Sequence, residues 1–135
     1  MSSLPEGCPP PTATHLSGRY FRLTRRGREK GSLTVAAEDW LSPHETRGSR
    51  CEGDVERCEC HALSLLGDID KLVEARRQSP WVRSKPVAEV ELEPHMGVGM
   101  QTHSDAFDCH WDWWRTGKAE PVGRVIIAAD EVGDA

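Results

Sequence analysis

The chain has 135 residues, enough for one domain, with 37% hydrophobic and 29% charged residues and a formal net charge of −5. No apolar run approaches the roughly 18 residues that span a bilayer, and the first residues lack a charged start followed by an apolar stretch. Neither a membrane helix nor a secretory leader is expected. A cytoplasmic location follows, where disulfides are rare. The five cysteines, an odd number, then read as free thiols or metal ligands.

The charge is uneven. Residues 19–30 carry Arg19, Arg22, Arg25, Arg26, Arg28 and Lys30 against Glu29 alone, and the remainder is acidic. One basic segment on an acidic body excludes general duplex binding, which needs a broad positive face. Tyr20 among the arginines suits a local contact with single-stranded nucleic acid; a solvated, charge-blunted edge is the plainer alternative.

Residues 1–16 contain Pro5, Pro9, Pro10 and Pro11 and almost no large apolar side chain. Such a segment buries too little surface to offset its ordering entropy. A disordered tail is expected over 1–16, with Cys8 incidental, and a single α+β domain over 17–135. Residues 18–24 alternate as a half-buried strand with Phe21 and Leu23 inward. A polar turn, a short strand at 32–36 and a helical turn at 37–41 follow, with Trp40 and Leu41 packing back. Pro43 ends that turn. Residues 42–54 are too polar for a core element, and 54–60 alternate as a short edge strand.

The clearest periodicity is at 65–77. Leu65, Leu66, Ile69, Leu72 and Val73 make a helical apolar stripe, and Asp68, Asp70, Lys71, Glu74 and Arg77 make the wet face. Ser64 is the expected N-cap, and Arg76 and Arg77 suit the negative end of the helix. Ser79-Pro80 stops it, with Trp81 and Val82 expected beneath. Residues 86–92, with Ala88, Val90 and Leu92 inward, and 98–102 form a hairpin. Gly97 and Gly99 admit close approach of another backbone or a ligand. Strands at 110–114 and 122–129 complete an α+β fold, a largely antiparallel sheet of about five strands packed on one main helix.

Residues 103–114 concentrate the chemistry: His103, Asp105, Asp108, Cys109, His110 and Asp112 among three tryptophans. In an extended 110–114, Trp111 and Trp113 share one face, and His110, Asp112 and Trp114 share the other. With the paired tryptophans as core, Trp114 is exposed beside an imidazole and a carboxylate, a recognition arrangement. The leading expectation is therefore a small accessory protein binding a protein partner through His110, Asp112 and Trp114. The alternative is a small enzyme using His103, Asp105 or His110 as acid, base or metal ligand. A Trp-rich core strand with merely solvated polar residues is the bland case.

No cofactor is expected; zinc and NAD are the two alternatives. Cys51, Cys58, Cys60, His61 and Cys109 are the candidate zinc ligands. Their spacing, Cys-x6-Cys-x-Cys-His, lacks the short paired knuckles of structural zinc sites, which favours free thiols. Arg19 or Arg22, Ser64, and Glu89 or Glu91 occur in that order along the chain. This resembles the Arg, Ser-Thr-Ser, Glu-x-Glu order of arginine-directed ADP-ribosyltransferases. The resemblance implies NAD as substrate and catalytic roles for Arg22 and Glu91. The middle segment here is Ala62-Leu63-Ser64-Leu65, not Ser-Thr-Ser. Phosphate-loop, dinucleotide-binding, zinc-protease and nucleophile-elbow motifs are absent from the sequence.

Overall fold

The computed structural model describes residues 4–42, 45, 58–102, 109–116 and 119–133. His103, Asp105 and Cys51 lie outside the described residues, as do 54–57 of the expected edge strand.

The described residues form one sheet of seven strands. These are β1 (Thr14–His15), β2 (Gly18–Leu23), β3 (Leu63–Leu66), β4 (Val87–Leu92), β5 (Gly97–Gln101), β6 (His110–Arg115) and β7 (Gly123–Ile127). Their order is β1-β5-β6-β3-β2-β4-β7, and every pairing is antiparallel. Three short helices accompany it: α1 (Ala36–Asp39), α2 (Ile69–Gln78) and α3 (Pro80–Arg83). The expected antiparallel α+β character holds. Two strands arise where none was expected, β1 in the tail and β3 in the helical stripe, whereas 32–36 supplies only an isolated bridge from Leu33 to Arg124 before α1.

β3 shows why the stripe misleads. Leu63 and Leu65 pair across to Trp113 and Trp111 on one face of the sheet, while Leu66 pairs to His110 on the other. All three leucines are buried. Leu66 is buried on the face where Ser64 is exposed, so Leu65 and Leu66 are adjacent buried leucines, which cannot be told from a helix edge by spacing. The helix starts only after Gly67. Asp68, not Ser64, is its N-cap, accepting from the backbone N–H of Asp70 at 2.9 Å and of Lys71 at 3.3 Å.

The sheet cannot be flat. β1 and β2 stand four places apart in it, about 19 Å at the usual strand spacing. Yet His15 and Gly18 are three residues apart, a reach of about 11 Å at most. The sheet therefore curls, bringing the β1 edge back toward β2. The two cores lie on its two faces. Leu16, Trp40, Leu63, Leu65, Val90, Leu92 and Trp113 fill the inside of the curl. Phe21, Leu66, Val87, Cys109 and Ile127 pack outside it against Leu72 and Val73 of α2 and Val82 of α3. Val82 is beneath the helix as expected, but Trp81 is 60% exposed.

The tail is docked, contrary to its expected disorder. Leu16 is buried, and Thr14–His15 pairs with β5 at Gly99 and Val98. A Cβ at Gly99 would lie 2.6 Å from Leu16 Cδ1 and 2.8 Å from Asp112 O. The close approach expected at this glycine is made by the chain's own tail. Cys8 is bonded to Cys58 (S–S 2.03 Å) across 50 residues of sequence, and Cys60 is also disulfide-bonded. The free-thiol reading is thereby corrected for all three. It rested on compartment, whereas the fold brings Cys8 beside Cys58. Cys109 is free and buried. No described helix is long and apolar enough to cross a membrane.

Candidate functional site

The site lies on the outer face of the sheet, where β5, β6 and β3 run side by side. Ser64 of β3 pairs with Asp112 of β6, and Asp112 pairs with Met100 of β5; Trp114 pairs with Val98. Paired residues of antiparallel strands project to the same face. His110, Asp112 and Trp114 therefore share this face, and Trp111 and Trp113 share the other, as alternation predicts. Trp113 is fully buried against Trp40 at 6.3 Å, and Trp111 meets Tyr20 edge-on at 5.8 Å.

Trp114 departs from expectation. It is 4% exposed, and its indole N–H donates to Cys58 O at 3.0 Å. A 3₁₀ turn, Cys58–His61, supplies that carbonyl. Pro10 joins it, and Cys8 binds it covalently. Strand alternation gave the face correctly. It could not show that a disulfide-bound segment from the tail covers the end of that face.

Next to this cover, the rest of the face remains open. Pro10, Cys58, Glu59, Met100, Thr102, His110, Asp112 and Trp114 line a cleft of about 530 Å³. Within it the polar side chains form one chain of contacts. Against burial, which raises the Asp112 carboxyl pKa, the Thr102 side chain lowers it. Thr102 Oγ1 lies 2.7 Å from His110 Nδ1, and His110 Nε2 lies 3.0 Å from Ser64 Oγ. Thr102 and Ser64 each carry one O–H, so the protonated ring nitrogen donates and the other accepts; in the Nδ1–H tautomer Nε2 accepts from Ser64 Oγ–H.

Electrostatics match this arrangement. Burial holds the His110 imidazole below its usual pKa, against the pull of Asp112, so the ring favours its neutral form. Burial raises the Asp112 carboxyl above its usual range, with His110 opposing, Glu59 adding to the rise and the Thr102 hydrogen bond opposing. A partly desolvated imidazole and carboxyl, pushed off their ordinary values in a cleft, form an acid–base arrangement.

The remaining candidates are scattered. Arg22 projects to the inner face, over Trp40 with its guanidinium carbon 5.6 Å from the ring centroid. It donates to the carbonyls of Asp39 at 2.7 Å, Ser64 at 2.9 Å and Leu41 at 3.2 Å. Burial pushes it down to about 10 despite Asp39. Its role is to hold the segment after α1. Arg19 pairs with Glu91 in register and reaches Glu89 at 3.9 Å. Extending the β2–β3 register places Ser64 opposite Leu23, four residues and about 13 Å along the strand from Arg19. The Arg, Ser and Glu of the transferase-like order are therefore not brought to one site. The basic segment is largely satisfied at home: Arg25 pairs with Glu38 at 2.9 Å, and Arg28 pairs with both Glu38 and Asp39.

Of the candidate metal ligands, Cys58 and Cys60 are oxidised and offer no thiolate. His61 is buried, and the buried Cys109 thiol faces Asp68 O at 3.9 Å. No group of three or more His, Cys, Asp or Glu side chains suited to a metal occurs among the described residues. Sequence reasoning missed Thr102 and Ser64 as partners of His110, and Glu59 as a charge near Asp112. The signal for Ser64 and Thr102 was pairing register, which a single strand does not carry.

Compared with protein-family models, with curated proteins and with solved structures, the chain matches none.

Proposed function

We propose that the cleft over β5 and β6 is a small-molecule site in which His110 acts as a general base, making the chain a small enzyme. The observation that carries this is His110 held between Thr102 Oγ1 at 2.7 Å and Ser64 Oγ at 3.0 Å in a cleft that Asp112 also lines. Recognition through Trp114 needs that ring in solvent, and it is covered. A concave site where titratable groups converge is what acid–base chemistry requires.

The lining also selects its ligand. Among the described residues it holds Glu59 and Asp112 and no lysine or arginine. Phosphates, carboxylates and NAD are disfavoured there by like charge, and neutral or cationic molecules are favoured. The Cys8–Cys58 disulfide at the rim favours an oxidising compartment over the cytoplasm.

The test is an amide and side-chain NMR titration with neutral, cationic and anionic aromatic fragments. Neutral and cationic fragments are expected to shift the signals of Thr102, His110 and Asp112 while anionic ones do not. Shifts confined to other surfaces, or none from the whole panel, would overturn the assignment.

A further inference from the structure

We infer that Ser64 is the nucleophile of this cleft and that its substrates are neutral or cationic carboxylic esters. This rests on His110 acting as the base. A serine hydroxyl is a weak nucleophile until an adjacent base takes its proton. Ser64 is exposed on β3, and its Oγ lies 3.0 Å from His110 Nε2. Three strands fix the geometry. Ser64 lies directly across from Asp112, with His110 two residues back on the same face. The buried pairs Leu63–Trp113 and Leu65–Trp111 on the opposite face lock that register.

Proton transfer from Ser64 requires the Nδ1–H tautomer, in which the Nε2 lone pair faces the Ser64 hydroxyl. Thr102 is the positioning residue: its Oγ1, 2.7 Å from Nδ1, accepts the Nδ1–H hydrogen bond in that tautomer. The imidazolium formed during reaction is stabilised by Asp112 at one remove.

The reaction balances with water as the only co-reactant. Ser64 Oγ attacks the ester carbonyl carbon, forming a new C–O bond, as its proton passes to His110 Nε2. The tetrahedral adduct collapses, the bond to the alkoxy oxygen breaks, and the alcohol leaves with the proton from Nε2. Water then attacks the acyl-Ser64 carbonyl and gives a proton to Nε2. Ser64 leaves, recovers that proton, and the carboxylic acid is released.

The test uses the full chain with p-nitrophenyl acetate. The expected results are a burst of p-nitrophenol matching the protein concentration and a mass gain of one acetyl group, mapped to Ser64. Ser64→Ala and His110→Gln should each remove the label and lower the rate by about 10²-fold or more. Thr102→Val should keep some labelling but move the acid limb of the pH–rate profile. Thermal melts of each variant separate lost chemistry from lost folding. Hydrolysis that survives Ser64→Ala but not His110→Gln would make water the nucleophile, overturning the role of Ser64 while leaving His110 as base. Labelling on lysines alone, or no turnover by the unmodified chain, would overturn the inference, and the fragment titration then decides the cleft itself.

Discussion

Removing the Cys8–Cys58 bond should destabilise the fold and uncover Trp114. The bond closes a loop across 50 residues. Chain entropy alone assigns such a closure about 4 kcal/mol, and measured losses commonly fall at about 2–4 kcal/mol. That is a large part of a typical domain stability of about 5–15 kcal/mol. The local effect follows from connectivity. Cys58 O accepts the indole N–H of Trp114, and Pro10 lies two residues from Cys8 along the same wall of the cleft. The perturbation is the double variant Cys8→Ser with Cys58→Ser, which leaves no thiol from the broken bond; the free thiol of Cys109 is buried. Urea unfolding should show a loss of about 2–4 kcal/mol, and acrylamide should quench tryptophan emission more strongly at zero urea. A change below about 1 kcal/mol with unaltered quenching would show that the tail is not held as described.

Other substitutions test other parts of the account. Arg76 is buried at the end of α2 and donates to the carbonyls of Val82, Arg83, Lys85, Ala128 and Glu131. Arg76→Met should cost about 3–5 kcal/mol in urea unfolding, because those acceptors lose charge-assisted donors; a loss under about 1 kcal/mol would show that water replaces them freely. Leu72→Ala truncates a fully buried side chain of the outer core and should cost about 2–5 kcal/mol by the same assay. Asp112→Asn removes the charge that raises the His110 pKa, so the His110 titration midpoint should fall further and any His110-dependent rate should persist to lower pH. A midpoint that rises instead would reverse the electrostatic reading.

The sequence exposed those features that depend on one segment alone. The inward pattern of Ala88, Val90 and Leu92, the burial of Phe21 and Trp40, and the two faces of β6 all follow from local alternation, and all are seen. Features that depend on two distant segments stayed hidden. Leu63 to Leu66 carries a pattern common to a helix and a buried strand, and only its partner β6 decides between them. The proline-rich tail has a single large apolar anchor that becomes buried, Leu16, together with Cys8, whose value depends on finding Cys58. Arg76 looked like a dipole-favoured surface cation, yet the carbonyls that enclose it come from α3, the turn after it and the segment after β7. The site was half legible for the same reason. His110 and Asp112 stood out in sequence, but Ser64 and Thr102 join them only through pairing across β3, β6 and β5.

The most direct test of the central claim is a long-range ¹H–¹⁵N NMR titration of His110 in the unmodified chain. The proposed role of His110 as base toward Ser64 requires the tautomer protonated at Nδ1, with Nε2 as the acceptor. Burial requires a midpoint below the ordinary histidine value of 6.5. The sign for stability follows from that depressed value. Between the folded-state midpoint and 6.5 the unfolded chain binds more protons at this site, so the contribution of His110 to stability rises with pH through that window and is lost as pH falls through it. The expected result is an Nδ1–H imidazole that is more than half neutral at pH 6.5. An Nε2–H tautomer, or a midpoint above 6.5, would contradict it.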